Sequence, residues 1–480
     1  MSDLKLFAST YNLNTRGSSV TPTHLQHWLR PAFAGDDEAA APDLVVIGVQ
    51  ELIPLHQSLS GFGASFIANF QNAIVAALDT LSASVYPSHS PTFASVAPRS
   101  DYRATFIGSI ILLVFRNTQT LPQERLGRPS ISRLGLGVGS NLGLNAWSSD
   151  CGGYGMGNKG AVGLRIPINR SEGQDYWETF TFVCAHLAAH DENLETRNAN
   201  YRQILSSLLF APSSSLDKPL QIWQTSHLVL LGDLNYRLTR APTGLESALI
   251  DTARRGRETQ TDPDLKKERQ SLVALDTLKE QQAQGKAFDC LLEGDLTTFA
   301  PTYKRIVGQI DGYNKKRRPG YTDRILFASY RAKSNTQSEL PELNAETSPL
   351  LARTTADHAS NNDNTSQTRI TAYNSIPDLT ASDHKPVYAI LFMPPPPSDA
   401  HDQFSTQHQT PFLAFPPSAT VPAANSLSLG TRQVIATALD RCIGLLWYSA
   451  IILGAGNLPA GIFVELLLVL IGLTWWKGMW

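Results

Sequence analysis

Short apolar runs that end abruptly in polar residues recur along this chain of 480 residues. The clearest is the run at 228–231, which Gly232 and Asp233 follow at once. Such a pattern is typical of a buried strand that ends in a turn. Similar runs predict strands at 44–49, 110–115, 180–185 and 387–392, and alternating apolar residues predict an opening strand at 4–14.

Helical periodicity appears between these predicted strands. Residues 63–81 have a helical pattern, a second helix is predicted to open at Arg197, and a polar helical segment occupies 265–284. The chain is too long for one small core, so one large domain with additions is expected. We place the catalytic domain at 1–393, a Pro/Ser-rich linker at 394–430 and a hydrophobic tail at 431–480. Within the domain, the polar composition of 333–371 predicts a disordered insertion.

The tail has the composition of a membrane anchor. From Cys442 to Val464 there are 23 residues without a charge, and after Glu465 the chain stays apolar to Trp476. A helix needs ~20 such residues to span a bilayer. Because Pro459 and nearby glycines favour a break and a buried Glu is costly in lipid, we predict a bent or two-part insertion. A buried helical hairpin in a soluble protein is the alternative.

Charge and cysteine content narrow the possible partners and compartment. The net charge is −2, so nothing global indicates a polyanion, and nucleic acid is not an expected partner. The four cysteines are widely spaced, without a metal or disulfide pattern, which suits a reducing compartment. The N-terminus has no apolar signal core, so secretion is not expected.

The candidate chemistry lies where the predicted strands end. Asp233 and Asn235 follow the run at 228–231, and a carboxylate beside a carboxamide can take a proton from water and orient a phosphoryl oxygen. The alternative is a turn that uses Asp and Asn for their conformational preference. The strand at 44–49 ends in Gln50-Glu51, where the Glu is either a solvated end or a ligand for Mg²⁺.

Two histidines, a glycine-rich segment and a run of four cations complete the candidates. His186 stands at another strand exit, although a lone histidine is usually part of a core. Asp383 directly precedes His384, and we predict that this Asp orients the His, which contacts an anion. The glycine-rich segment 151–163 contains Asn158 and Lys159, where a phosphate could bind, or it is a flexible hairpin. The four cations at 315–318 belong either to a solvated loop or to a docked one.

Eight segments in one order resemble the inositol polyphosphate 5-phosphatase family of the endonuclease/exonuclease/phosphatase superfamily. They read STYNLN, PDLVVIGVQE, GMGNKGAV, AHLAAHDENLETRN, LLGDLNYR, FAPTYK, KKRRPGYTDRIL and SDHKPV. The chain departs from the family at Tyr11, where Trp is usual, and at Gly320-Tyr321-Thr322, where Ala-Trp-Cys is frequent. These are packing changes that remove no catalytic group. A C-terminal hydrophobic anchor is similar to that of certain fungal members.

The resemblance implies an α/β fold, a four-layer α/β sandwich in which two mixed sheets pack face to face with helices outside. It implies that Glu51 coordinates Mg²⁺ with Asn12 nearby, that Asp233 activates the attacking water, and that Asn235 orients it. His384 with Asp383, and His186, would contact the scissile phosphate. The remaining residues implied to bind or support the substrate phosphates are Asn158, Lys159, Tyr303, Lys304, Lys315, Arg317, Asp323 and Arg324.

The implied reaction is removal of the 5-phosphate from phosphatidylinositol 4,5-bisphosphate, with a phosphoinositide lipid as substrate. The expected location is a membrane reached through the tail, with the catalytic domain in the cytosol and the endoplasmic reticulum as the best guess. Three alternatives stay open. They are a phosphodiesterase of the same superfamily, a 5-phosphatase of soluble inositol polyphosphates, and a non-enzymatic membrane-tethered module that binds phosphoinositides.

Overall fold

In a computed structural model of this protein, the strands form two mixed β-sheets. The structure describes residues 3–34, 41–97, 105–137, 156–170, 177–211, 219–240, 263–310, 312–314, 317–330, 368–393, 413 and 429–478. The strands in chain order are β1 (Leu4–Asn12), β2 (Leu44–Gln50), β3 (Phe93–Ser95), β4 (Phe106–Ile107), β5 (Ile110–Asn117), β6 (Ser130–Gly135), β7 (Gly160–Asn169), β8 (Trp177–His186), β9 (His227–Asp233), β10 (Leu292–Glu293), β11 (Asp323–Ser329), β12 (Arg369–Ser375) and β13 (Val387–Met393).

The helices lie between and after these strands. They are α1 (Pro22–Leu29), α2 (Leu55–Ser60), α3 (Ala64–Val85), α4 (Leu194–Ser207), α5 (Pro263–Val273), α6 (Thr277–Ala283), α7 (Leu429–Leu453) and α8 (Leu458–Gly478). The predicted helix at 265–284 is therefore two helices, because Asp276 caps the second one by accepting a hydrogen bond from the Lys279 N–H. The helix predicted to open at Arg197 begins three residues earlier, at Leu194.

Each sheet mixes parallel and antiparallel pairs. The first sheet has the order β12-β13-β1-β2-β5-β3, with β4 paired to β5, and the second has the order β10-β11-β9-β8-β7-β6. The pairs β1–β2 and β8–β9 are parallel, and their neighbours run antiparallel. The prediction of two mixed sheets is confirmed.

Three apolar clusters show the four layers. One cluster lies between the two sheets and contains Leu6, Val46, Phe182 and Leu231. A second joins the first sheet to α1 and α3, and a third joins the second sheet to α4 and α6. The strands β1, β2 and β9 are buried along their whole length because both of their faces are covered. This explains why they appear in the sequence as apolar runs.

The strand register brings the ends of five strands to one edge of the sandwich. In the first sheet, Asn12 at the end of β1 pairs with Gln50 at the end of β2. In the second sheet, Asp233 at the end of β9 pairs with His186 at the end of β8 and with Asp323 at the start of β11. Polar residues scattered over most of the domain therefore meet at this edge, which we call the polar edge.

Two predicted segments fall largely outside the described residues. Of the predicted insertion 333–371, only its last residues are described, and 369–371 belong to β12 because this strand pairs with β13. The prediction of disorder is therefore wrong for these three residues. Of the predicted linker 394–430, Leu413 is described by its N–H donating to the Thr225 carbonyl at 2.9 Å, and Leu429 and Gly430 begin α7.

The tail forms two helices, as the glycines and Pro459 predict. The chain breaks between Leu453 and Leu458, and the Glu465 carboxylate accepts a hydrogen bond from the Ser449 hydroxyl. Residues Gln433–Leu453 of α7 are long and apolar enough to cross a membrane, with a mean hydropathy of 1.4. The apolar part of α8, Leu458–Leu473, is shorter.

Candidate active site

The Asp233 carboxylate is the centre of the polar edge. Its Oδ2 accepts a hydrogen bond from Asn12 Nδ2 at 2.9 Å and lies 3.3 Å from His186 Nε2, while Oδ1 accepts the Asn235 N–H at 3.0 Å. Burial opposes its ionisation, but His186, His384 and Lys159 outweigh burial and hold the pKa of Asp233 well below its usual range. The group is therefore an ionised carboxylate surrounded by donors, which fits a residue that orients and polarises water.

Asn235 supports this carboxylate through the shape of the backbone. Its φ of 58° lies in the left-handed region, so the chain turns after β9 and does not continue extended. The Asn235 amide donates to the Leu187 carbonyl at 3.1 Å and accepts from Arg237 at 3.3 Å. Asn235 thus stands in the site, with its side chain fixed by neighbouring segments.

His384 belongs to the site, but its carboxylate partner differs from the predicted one. His384 Nδ1 lies 2.9 Å from Asp323 Oδ2, and Nε2 points to the Asp233 carboxylate at 3.9 Å. Burial lowers the pKa of His384, but the charge of Asp323 and then that of Asp233 raise it to about 9. The imidazole is therefore a cation at neutral pH, held between two carboxylates.

Asp383, the predicted partner of His384, contacts Lys304 instead. Asp383 Oδ2 lies 2.8 Å from Lys304 Nζ. The prediction that Asp383 orients His384 is wrong, because the two neighbouring side chains leave the backbone in different directions. Asp323 takes that role and is itself fixed by hydrogen bonds from the Thr302 hydroxyl at 2.6 Å and the Thr322 hydroxyl at 2.9 Å.

His186 and Lys159 lie together beside the Asp233 carboxylate. Lys159 Nζ lies 2.7 Å from His186 Nε2. Burial lowers the pKa of Lys159, while Glu51 and Asp233 oppose that change. Lys159 directly precedes β7, whose first residue pairs with His186, so the sheet register brings the Lys159 side chain to the Asp233 carboxylate. The neighbouring Asn158 is half-buried, and among the described residues its Oδ1 has no hydrogen-bond partner.

Glu51 and Asn12 offer the hard oxygen atoms that Mg²⁺ prefers. Glu51 is one-third exposed, and its Oε1 lies 3.8 Å from His186 Nε2. Its φ of 52° is unusual for a glutamate, and the Thr15 N–H holds this turn by donating to the Glu51 carbonyl at 2.7 Å. Asn12 Oδ1 accepts the Asn14 N–H and keeps a second lone pair. The donor set next to Asp233 therefore fits a hard divalent cation.

A different trio of side chains also has ligand atoms close enough together to hold a metal ion. Ligand atoms of Asp233, Asp323 and His384 lie within 4.8 Å of one another. Hydrogen bonding between Asp323 and His384 already accounts for much of that spacing, and an imidazole is not a usual Mg²⁺ ligand. We therefore interpret this trio as a hydrogen-bonded chain and keep the metal assignment on Glu51 and Asn12.

A basic patch flanks His384. The Tyr303 ring lies 4.7 Å from the His384 ring, tilted by 41°, and the Arg237 guanidinium lies 4.7 Å above the Tyr303 ring. Backbone hydrogen bonds connect Lys304 to Asn314 at 2.9 Å and Asn314 to Arg317 at 3.3 Å. The fold thus joins the two motifs, as predicted for Lys304 and Arg317. Lys315 lies outside the described residues.

Arg324 does not reach the substrate side of the site. Its guanidinium is fully buried between Asp276, at 3.0 Å, and Glu293, at 2.5 Å. Consecutive residues of a strand point to opposite faces, so Asp323 faces His384 while Arg324 faces away. The predicted phosphate contact of Arg324 is therefore wrong, and its role is structural.

Several supporting residues were missed from the sequence. Arg237, Thr302 and Ser382 lie in the GDLNYR, FAPTYK and SDHKPV segments but had no assigned role. The Ser382 hydroxyl donates to the Asn12 carbonyl at 2.6 Å and accepts the His384 N–H at 3.2 Å. The unusual residues Tyr11 and Tyr321 are buried against Trp28 and Phe299, which supports their interpretation as packing residues.

A four-layer sandwich with acidic, imidazole and amide groups at one edge defines the structural class. The model for endonuclease/exonuclease/phosphatase family 2 matches residues 9–390, and the chain belongs to this family. In solved structures, the fold resembles the inositol polyphosphate 5-phosphatase domain of SPsynaptojanin in complex with inositol (1,4)-bisphosphate and calcium ion. The TM-score is 0.53 at 22% identity, covering 82% of this chain and 84% of that one.

The curated relatives support the predicted branch of the family. The type II inositol 1,4,5-trisphosphate 5-phosphatase of Mus musculus is 36% identical over 174 residues, which are 36% of this chain and 15% of the relative. The phosphatidylinositol 4,5-bisphosphate 5-phosphatase INP51 of Saccharomyces cerevisiae is 24% identical over 393 residues, 81% of this chain and 31% of the relative. The chain thus spans less than a third of the length of either relative.

Proposed function

We propose that this protein is a Mg²⁺-dependent phosphomonoesterase that converts phosphatidylinositol 4,5-bisphosphate to phosphatidylinositol 4-phosphate. The main support is one arrangement at the polar edge. The ionised Asp233 is surrounded by His186, Lys159 and a His384 that Asp323 keeps protonated, and a basic patch lies beside it. A carboxylate among cations fits water attack on a phosphate that has a second phosphate next to it.

The side chains of the site divide the reaction between them. Asp233 takes a proton from water, whose oxygen bonds to phosphorus as the bond to the inositol oxygen breaks. The departing inositol oxygen takes up a proton from solvent and Asp233 releases its proton to solvent, so inorganic phosphate and an inositol hydroxyl are the products. His384, His186 and Lys159 contact the phosphoryl oxygens, where charge develops. No enzyme nucleophile is needed, so no covalent intermediate forms.

Glu51, with Asn12, would hold the cation. When bound, Mg²⁺ supplies a Lewis acid and offsets charge on the departing inositol oxygen. We expect excess EDTA to abolish phosphate release and added Mg²⁺ to restore it. Glu51→Gln should raise the Mg²⁺ concentration for half-maximal rate by about 10–100-fold, the range for residues that support a metal site. Full activity in EDTA would contradict the proposal.

We propose that four residues bind the 4-phosphate and so select substrates that carry it. They are Tyr303, Lys304, Lys315 and Arg317. Each charge-assisted hydrogen bond is worth roughly 1.5–3 kcal/mol. Arg317→Ala should therefore lower kcat/KM about tenfold or more on a short-chain 4,5-bisphosphate, and much less on a substrate without the 4-phosphate. Arg318→Ala is the matched control, since that neighbouring guanidinium donates to the Thr239 carbonyl at 3.0 Å. Equal losses on both substrates would show that Arg317 does not read this phosphate.

A soluble inositol polyphosphate is a second candidate substrate, for two reasons. The Mus musculus relative is named for a soluble inositol trisphosphate, and the polar edge by itself has no group that distinguishes a lipid from a free headgroup. A phosphodiesterase of the same superfamily has weaker support, because the basic patch suits a neighbouring phosphate. The deciding experiment is phosphate release from a panel of phosphoinositides, soluble inositol phosphates and a phosphodiester such as sphingomyelin, with and without Mg²⁺.

Membrane attachment through α7 and α8 favours the lipid substrate. We expect the full-length chain to sediment with membranes, most of it with the endoplasmic reticulum, while a chain that ends at residue 430 stays in the supernatant. The apolar part of α8, Leu458–Leu473, is about 24 Å long at 1.5 Å per residue, slightly shorter than the ~30 Å hydrocarbon core of a bilayer. Recovery of the full-length chain in the high-speed supernatant would refute the anchor.

A further inference from the structure

The helix α7 has two faces of different character. Its large exposed apolar side chains recur mostly at spacings of seven and eleven residues and so form one stripe along the helix. They are Val434, Ile435, Leu439, Leu445, Leu446, Ile452 and Leu453. The opposite face contains Thr437, Asp440, Arg441 and Gly444. This second face is in contact with the catalytic domain.

Three polar contacts fix α7 to that domain. Arg441 Nη1 donates to the Ser60 carbonyl at 2.8 Å, and the Gly157 N–H donates to Asp440 Oδ1 at 3.3 Å. Arg133 reaches Thr437 Oγ1 at 3.4 Å. Asp440 is buried although it lies on a helix with an apolar exposed stripe. We call these contacts the clamp.

The helices α7 and α2 also approach each other closely. A Cβ on Gly444 would lie 2.2 Å from the Ser60 backbone nitrogen, so only glycine fits there without a shift. Beyond this point, the Tyr448 ring lies 5.0 Å from that of Phe62 and 5.8 Å from that of His56. The docked face is therefore packed as well as hydrogen-bonded.

The clamp holds the two segments that carry site residues. Gly157 is the residue before Asn158 and Lys159, and α2 begins four residues after Glu51. The helix α7 is thus attached beside the polar edge, where the substrate must enter. Its apolar stripe faces the side opposite the catalytic domain.

A lipid bilayer is the occupant that fits this stripe. The stripe continues into α8, which is exposed and apolar on several sides and packs on α7 where Gly461 meets the Ala450 carbonyl. If Gln433–Leu453 crossed the membrane, Asp440 and Arg441 would enter hydrocarbon and lose the clamp, which is costly. Lying in the interface, the helix keeps both the polar contacts and the burial of the stripe.

We propose that α7 lies in the plane of the membrane interface, with its stripe in the acyl boundary and its other face clamped to the catalytic domain, so that it holds the active-site opening at the lipid surface. The proposal rests on the membrane attachment proposed above. It assigns Asp440, Arg441 and Gly444 a positioning role that chemistry on soluble substrates does not require.

The first test measures the depth of α7 in vesicles of phosphatidylcholine and phosphatidylserine. V434C, L445C and I452C carry a fluorescent label one at a time, with Cys151, Cys290 and Cys442 replaced by Ser and the buried Cys184 kept. The three positions share one face of the helix. Quenching by lipid-borne quenchers should report one common depth of roughly 5–10 Å below the headgroups. Depths graded over about 27 Å, the length of 18 residues, would indicate a spanning helix and overturn the proposal. Labels that are quenched only by water-soluble quenchers would also overturn it.

The second test separates positioning from chemistry. Full-length Gly444→Leu should lower kcat/KM on phosphatidylinositol 4,5-bisphosphate in vesicles by about tenfold, less than the roughly 10²–10⁴-fold that tethering gains, because the tail itself remains. On soluble inositol 1,4,5-trisphosphate it should change by less than about twofold. Gly472→Leu is the matched control, because a Cβ there meets nothing within 4 Å.

The outcomes are distinguishable. If Gly444→Leu and Gly472→Leu act alike on vesicles, or if Gly444→Leu loses both substrates equally, the clamp does not position the domain. If the wild-type chain hydrolyses neither substrate, the proposed function fails, while the label depths still decide how α7 meets the membrane.

Discussion

Asp233→Asn is expected to lower kcat for phosphate release by about 10²–10⁴-fold, the usual contribution of a general base. The asparagine keeps the size of the side chain and can still accept the Asn235 N–H at Oδ1. It cannot take a proton from water. It also leaves His186, His384 and Lys159 without the carboxylate that their charges surround. The loss should appear in kcat on every substrate that the wild-type chain hydrolyses.

The control for Asp233→Asn is another buried carboxylate among cations. Glu178 lies on the same parallel strand pair, far from the polar edge, with Arg170 at 3.0 Å and His227 at 3.3 Å. Glu178→Gln should lower the melting temperature but leave kcat of the folded fraction unchanged. Circular dichroism and thermal unfolding establish that each variant is folded. Near wild-type turnover by folded Asp233→Asn would contradict the assignment of the base.

The strand-exit residues could be predicted because burial and position in the chain are both local signals. An apolar run followed at once by a polar residue locates a strand end, and Asn12, Glu51, His186 and Asp233 all follow this pattern. Their meeting at one edge then depends only on which strands run parallel. The register of β1 with β2 and of β8 with β9 supplies that information.

The side-chain partners within the site could not be predicted in the same way. Sequence adjacency suggested Asp383 for His384, but 61 residues separate His384 from its actual partner Asp323. The alternation of a strand decides that Asp323 enters the site while Arg324 is buried against Asp276 and Glu293. No local pattern shows which of two adjacent polar residues faces inward.

The tail illustrates the same limit. Glycines and Pro459 predicted the break between α7 and α8, because these residues disfavour a continuous helix. The contact of Asp440 with Gly157 spans 283 residues, and composition alone made α7 look like part of a spanning segment. Only the three-dimensional contacts reveal that one face of this helix is already occupied.

Asp323→Asn is expected to lower kcat/KM on the order of 10²–10⁴-fold, similar to the loss when the carboxylate behind a catalytic histidine is amidated. Asp323 is a positioning residue, since it acts through His384 Nδ1 at 2.9 Å. Its charge is the largest influence that raises the pKa of His384 to about 9, against the effect of burial. Without that charge, the pKa of His384 falls and Nδ1 loses its charged partner.

The pH profile distinguishes this role from a merely structural one. The cationic form of His384 prevails below its pKa, so the wild-type kcat/KM should stay level up to pH about 9 and fall above it. In Asp323→Asn the fall should begin roughly 1–3 pH units lower, because the opposite charge that favoured the cation is gone. Asp383→Asn is the matched control. Its partner is Lys304 at 2.8 Å, and its charge is a smaller influence on the pKa of His384 than that of Asp323, so it should shift the pH at which kcat/KM falls much less and change mainly the preference for a 4-phosphate. If Asp383→Asn lowered the pH above which kcat/KM falls and Asp323→Asn did not, Asp383 and His384 would be the functional pair. The role given to Asp323 would then be wrong.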